Sequence, residues 1–165
     1  MWSAIGDQAP WSHIITSPML RCQAFAEAVA EKYAIPCSVE PDFREVGFGR
    51  WEGQTPDQLK KNRLQEYQDF YRDPVNLRPQ GAEDLNDFIQ RVTTAYNKAV
   101  ETFQSSHLLI VAHAGVNRAI IARALHCQPI GLYRIKVNNA GISRLQHDEH
   151  GDHLLYHNCR LADMA

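Results

Sequence analysis

A histidine stands where an apolar run meets a glycine, in Leu108-Leu109-Ile110-Val111-Ala112-His113-Ala114-Gly115-Val116-Asn117-Arg118. The four branched aliphatic residues predict a buried strand. Beyond the glycine, Val116, Ile120, Ile121 and Ala124 fall on one face of a predicted helix. His113 is therefore expected at the carboxyl end of a strand, with Ala114 and Gly115 opening the helix. Ligands of open α/β sheets bind at that edge. The free backbone N–H groups and positive dipole end of the helix suit an anion. Gly115 would let the backbone come close to it. Read alone, His113 is equally well explained as a core histidine satisfied by a backbone carbonyl.

Three other stretches could join this chemistry. Thr16-Ser17-Pro18-Met19-Leu20-Arg21-Cys22 puts an arginine in the first turns of a helix that follows a strand. Phe43-Arg44-Glu45-Val46-Gly47-Phe48-Gly49-Arg50-Trp51-Glu52-Gly53 puts carboxylates in a glycine-rich loop, the kind of loop that carries function more often than one of Ser and Lys. Gln80-Gly81-Ala82-Glu83-Asp84 opens a long helix. Arg21 could also be a solvated helix residue, and Glu45 could pair with Arg44 or Arg50. Cys22, beside Arg21, has no second feature to support it as a nucleophile.

The elements that must position these residues follow from periodicity. Ser12–Thr16 reads as a brief strand, Met19–Tyr33 as a helix with Leu20, Ala24, Ala28 and Val29 inward, and Cys37–Glu40 as a second strand. This is the strand–helix–strand unit of a parallel sheet. Thr55 as N-cap and Pro56 at the first helical position start a helix expected to run to Arg72, before Asp73-Pro74. Its Tyr67, Phe70 and Tyr71 are expected to be packing residues. From Asp84 to Gln104, apolar residues recur at three and four, the clearest helical pattern in the chain. Tyr133–Val137 alternates like a half-exposed strand. Ile142–Gln146 and His153–His157 are predicted strands joined by a tight turn at Glu149–Asp152.

The 165 residues predict one domain spanning 1–165. A formal charge of −2 argues against a broad nucleic-acid or membrane surface. No apolar run reaches membrane-spanning length, and the first residues do not resemble a signal peptide. Four cysteines without a CxxC pair point to free thiols and a cytoplasmic protein rather than a disulfide framework or zinc site.

In this order and spacing, the four chemistry-bearing stretches resemble the histidine phosphatase superfamily, the phosphoglycerate-mutase-like phosphatases, and within it the small bacterial branch that includes α-ribazole phosphatases of cobalamin biosynthesis. The resemblance covers nearly the whole chain from about Ser12. It implies an α/β fold: a three-layer αβα sandwich with a mostly parallel central sheet and an antiparallel edge. It implies hydrolysis of a phosphate monoester through a phosphohistidine, with no cofactor and no metal. Arg21 matches the arginine that clamps the transferred phosphoryl group, whose forked guanidinium fits two phosphate oxygens. Glu45 matches the acid that protonates the leaving oxygen, which must keep its proton near neutral pH. His113 matches the second histidine, which supports charge on the phosphoryl oxygens. Ala114 and Gly115 would add backbone contacts, and Arg118 faces solvent or the rim of the substrate.

The sequence departs from the family at its nucleophile, a histidine in an Arg-His-Gly motif ending the first strand. None of the eight histidines (13, 107, 113, 126, 147, 150, 153 and 157) lies in such a motif. His13 begins its strand, whereas the catalytic edge is at the end. Ser3–Gln8 looks like a remnant of the segment before the family's first helix, so the sheet is expected to lack its first strand. Without the nucleophile, covalent catalysis is lost, and the strands beside the gap would show unpaired edges. The expected partner is a small phosphorylated metabolite or phosphate, with catalytic activity impaired. The alternative is a non-catalytic phosphate binder or a self-associating, homo-oligomeric domain.

Overall fold

The computed structural model describes residues 8–104 and 106–160. All of Ser3–Gln8 except Gln8 lies outside the described residues. Strand β1 (His13–Thr16), helix α1 (Leu20–Tyr33) and strand β2 (Cys37–Val39) form the expected unit, with β1 and β2 parallel and Ile14 opposite Cys37. Strand β3 (Leu108–Val111) lies parallel on the other side of β1, with Ile14 opposite Leu109. The order is β2-β1-β3, so among the described residues β3 pairs on one side only.

Alternation along these strands divides the core into two. Ile14, Leu109 and Val111 point to one face, where Ala26 and Val29 of α1 meet them. Ile15, Leu108 and Ile110 point to the other face. There they meet helix α4 (Leu85–Thr102) through Phe88 and Val92, and helix α5 (Ala114–Ala124) through Val116 and Ile120. The result is three layers, with the sheet in the middle. α4 follows the predicted apolar pattern, and the structure shows Asp84 as its N-cap, its carboxylate accepting from the N–H groups of Asn86 and Asp87.

Strands β4 (Ile142–Asp148) and β5 (Gly151–Cys159) form an antiparallel hairpin that is a sheet of its own. Asp152 ties it to the helices. Its buried carboxylate accepts from Tyr96 Oη of α4 at 3.1 Å and His147 Nδ1 at 2.8 Å, and pairs with Arg123 of α5.

Three expectations differ from the structure in detail. The inward face of α1 is Cys22, Ala26 and Val29, whereas Leu20 is 78% exposed. Short alanines define that face only weakly, and the position of Cys22 against the His113 turn rotates it. The helix expected from Thr55 to Arg72 is two helices, α2 (Pro56–Asn62) and α3 (Leu64–Arg72), broken at Arg63. The break turns Phe70 inward against Trp51 at 5.1 Å, and Trp51 Nε1 donates to Glu66 at 2.7 Å. Tyr133–Val137 is not a strand. Pro129–Arg134 is a 3₁₀ turn that buries Leu132 and sets the Tyr133 ring 4.8 Å from Phe70. The alternation there reports tertiary packing, not a ladder.

Candidate phosphate-binding site

His113 caps α5 with an extended backbone and is buried, 6% exposed. One residue from the β1–α1 turn and one from the first turn of α1 hold its ring. Arg21 Nη2 lies 2.9 Å from Nδ1, and Ser17 Oγ lies 2.7 Å from Nε2. A guanidinium can only donate, so Nδ1 accepts and the ring proton sits on Nε2, donated to Ser17. Ser17 Oγ also accepts from Met19 N at 3.2 Å. Burial, reinforced by the Arg21 charge, lowers the His113 pKa to about 4, so the imidazole is neutral at pH 7. Cys22 Sγ packs 3.6 Å from Nε2, and burial pushes its thiol pKa up. A thiol held protonated is a poor nucleophile.

Glu45 arrives from the opposite side. Its Oε2 accepts from Gly115 N at 3.2 Å and its Oε1 from Val46 N at 3.0 Å. The carboxyl group therefore occupies the α5 N-terminus that the sequence suggested for a ligand. Gly115 is needed because of this approach: a Cβ there would stand 2.2 Å from Glu45 Oε1. Burial raises the Glu45 pKa, against the opposing pull of the two backbone N–H groups, Arg118 and Arg21. That is the direction a proton donor requires.

The loop carrying Glu45 is fixed by a pair the sequence reading missed. Arg91 of α4 grips Glu83 through Nε–Oε1 at 2.7 Å and Nη2–Oε2 at 2.9 Å. The same guanidinium donates to the carbonyls of Asp42, Arg44 and Glu45. Glu83 Oε2 in turn accepts from Gly47 N at 3.2 Å. Burial alone would raise the Glu83 carboxyl, but Arg91, the Gly47 N–H and Arg44 together hold it below its ordinary value. The available signal was Gln80-Gly81-Ala82-Glu83, read only as a helix opening. Glu45 pairs with neither neighbouring arginine: Arg44 reaches Asp42 and Glu83, and Arg50 reaches Glu66.

The structure thus brings Arg21, Glu45, His113, Ala114 and Gly115 to one edge, and adds Ser17. His13 is elsewhere, against Ser38 and stacked on Phe103. Among the described residues, no three His, Cys, Asp or Glu side chains are grouped to hold a metal ion. The arrangement gathers a guanidinium, a neutral imidazole and a carboxyl whose pKa burial raises at the carboxyl ends of β1 and β3.

Residues 3–160 match the Histidine phosphatase superfamily (branch 1), and the chain belongs to that family. It is 28% identical over 129 residues to the adenosylcobalamin/α-ribazole phosphatase of Salmonella typhimurium, covering 78% of this chain and 64% of that protein. It spans only 35% of another relative, a bifunctional protein of Mycobacterium tuberculosis, at 25% identity over 130 residues. The structure of YhfR from Bacillus stearothermophilus matches with a TM-score of 0.78 at 25% identity, over 88% of this chain and 72% of that one.

Proposed function

We propose that this chain, acting as one domain over residues 1–165, binds the phosphate group of small phosphorylated metabolites. Arg21 serves as the clamp, His113 as a neutral donor through Nε2 once Ser17 is displaced, and Glu45 as the proton donor to a leaving oxygen. Membership of the family supports phosphate-ester hydrolysis as the ancestral reaction, and the likeness to α-ribazole phosphatase supports a small-molecule ester and a link to cobalamin metabolism. The observation that carries the reading is the convergence of Arg21 and Ser17 on His113 while Glu45 docks on Gly115. Because no Arg-His-Gly stands in the 165 residues, the chain by itself binds phosphate without forming a phosphohistidine. The free cysteines support a cytoplasmic setting. No helix among the described residues is long and apolar enough to cross a membrane.

The test is p-nitrophenyl phosphate hydrolysis beside thermal melting with inorganic phosphate. The expected result is no turnover, with a phosphate-induced rise in Tm that Arg21→Ala removes. Turnover lost in His113→Ala would overturn the non-covalent reading. A second reading is favoured by β3, which among the described residues pairs only with β1 while Leu108–Val111 remain partly exposed. A second copy could pair on that edge, which would appear as a dimer in sedimentation.

A further inference from the structure

Arg118 lies on α5 five residues beyond His113, and nothing so far gives it a role. Its guanidinium is not free to wander. Nε donates to Ile135 O at 2.9 Å, and the planar group lies 5.6 Å from the centre of the Tyr133 ring. Tyr133 is itself braced: Phe70 packs on it at 4.8 Å, and Tyr71 at 6.4 Å. An arginine held this way has lost much of its side-chain entropy before any ligand arrives. Its two terminal nitrogens have no carboxylate within 4.0 Å among the described residues.

The charges around it make this conspicuous. Glu45 is the carboxylate that feels Arg118, and it feels Arg21 as well. Yet the Glu45 oxygens are already bonded to Gly115 N and Val46 N. Burial raises the Glu45 pKa, against the pull of both arginines. Next to Arg118, the exposed Tyr71 feels both that arginine and Lys60. Arg118 is therefore a pre-organised cation set against an aromatic wall.

We infer that Arg118, with Tyr71 beside it, forms a second anion subsite, which selects phosphate esters whose leaving group carries a carboxylate or another phosphate. This rests on the reading of Arg21 as the phosphate clamp. The helix register supports it: Arg118 stands one turn beyond Gly115, on which Glu45 docks, so Arg21 would take the phosphoryl group, Glu45 would face the bridging oxygen, and Arg118 would meet the leaving group. A guanidinium pairs with a carboxylate or phosphate through two parallel hydrogen bonds, so a ligand with only a hydroxyl at that end would gain less.

Calorimetric titration of the full chain separates the two claims. The probes are inorganic phosphate, glycerol 3-phosphate and 3-phosphoglycerate, which differ in having no leaving group, a neutral one and an anionic one. The wild type should favour 3-phosphoglycerate over glycerol 3-phosphate by about fivefold, the scale of a partly exposed charge pair. Arg118→Gln should erase that preference while changing phosphate affinity by less than about threefold. Arg118→Lys keeps the charge but not the fork, and should retain part of the preference. Arg21→Gln should weaken all three ligands together. Phosphate binding with no preference in the wild type, or a preference that survives Arg118→Gln, would overturn the subsite alone. Failure of inorganic phosphate to bind would overturn the clamp and the subsite with it.

Discussion

His113 is the residue on which the site turns, and its neutrality has a measurable consequence. In the unfolded chain its imidazole titrates near the ordinary value of 6.5, whereas in the folded chain it titrates at about 4. Between those values the unfolded state binds more protons, so the contribution of His113 to stability is complete above pH 6.5 and is lost as pH falls toward 4. The full effect is up to about 3 kcal/mol. Glu45 acts in the opposite sense. Its raised folded pKa means that the native state takes up its proton first as pH falls, which offsets part of the loss. Urea unfolding at pH 7 and pH 4.5 should show wild type losing markedly more stability on acidification than His113→Asn. Equal losses would mean that His113 is not held neutral by its surroundings.

At the scale of elements, the loop from Asp42 to Gly47 is positioned from α4 rather than from within itself. Arg91→Ala would remove the bidentate pair with Glu83 and three carbonyl contacts together. It would also leave Glu83 largely buried and without its principal partner, so the expected cost is about 3 kcal/mol. Arg91→Lys should not restore the loop, because an ammonium cannot span the fork. Chemical denaturation gives the cost, and the loss of the phosphate-induced Tm rise reports the loop. Wild-type phosphate response in Arg91→Ala would show that α4 does not set the site. What could be read from sequence follows the same physics. The α4 pattern and its Asp84 cap, the strands β1 to β3 and the hairpin all carry local signals, and so did the turn that opens at His113. The break at Arg63 and the 3₁₀ turn at Pro129–Arg134 did not, because both answer to Trp51, Phe70 and Tyr133 meeting across the chain. In the site, Arg21, Glu45 and His113 were legible by resemblance. The Arg91–Glu83 clamp was not, because it joins residues by side-chain reach and leaves no periodicity.

For the whole molecule, the question is how the hairpin is held, since among the described residues it shares no ladder with the parallel sheet. Asp152 is its main polar anchor, meeting Tyr96 from α4 and Arg123 from α5. Asp152→Ala should cost about 3 kcal/mol, because it leaves a buried hydroxyl and a partly buried guanidinium unpaired. Hydrogen exchange should then speed up selectively in Ile142–Cys159, with the amides of β1 and α4 still protected. Uniform acceleration would instead mean that hairpin and sheet unfold as one unit. The three layers form around the parallel sheet, with α1 on one face and α4 and α5 on the other. The residues proposed to bind phosphate sit on this part, so the account predicts that these 165 residues bind phosphate without the family's nucleophilic motif.

That claim is tested most directly by following the His113 imidazole by NMR while inorganic phosphate is added at pH 7. A phosphate on Arg21 would draw the guanidinium from Nδ1 and place negative charge beside the ring. The His113 signals should then shift saturably, and the imidazole pKa should rise from its depressed value, with both effects absent in Arg21→Ala. His113 signals that do not move at millimolar phosphate, or that move equally in Arg21→Ala, would contradict a phosphate site built on these two residues.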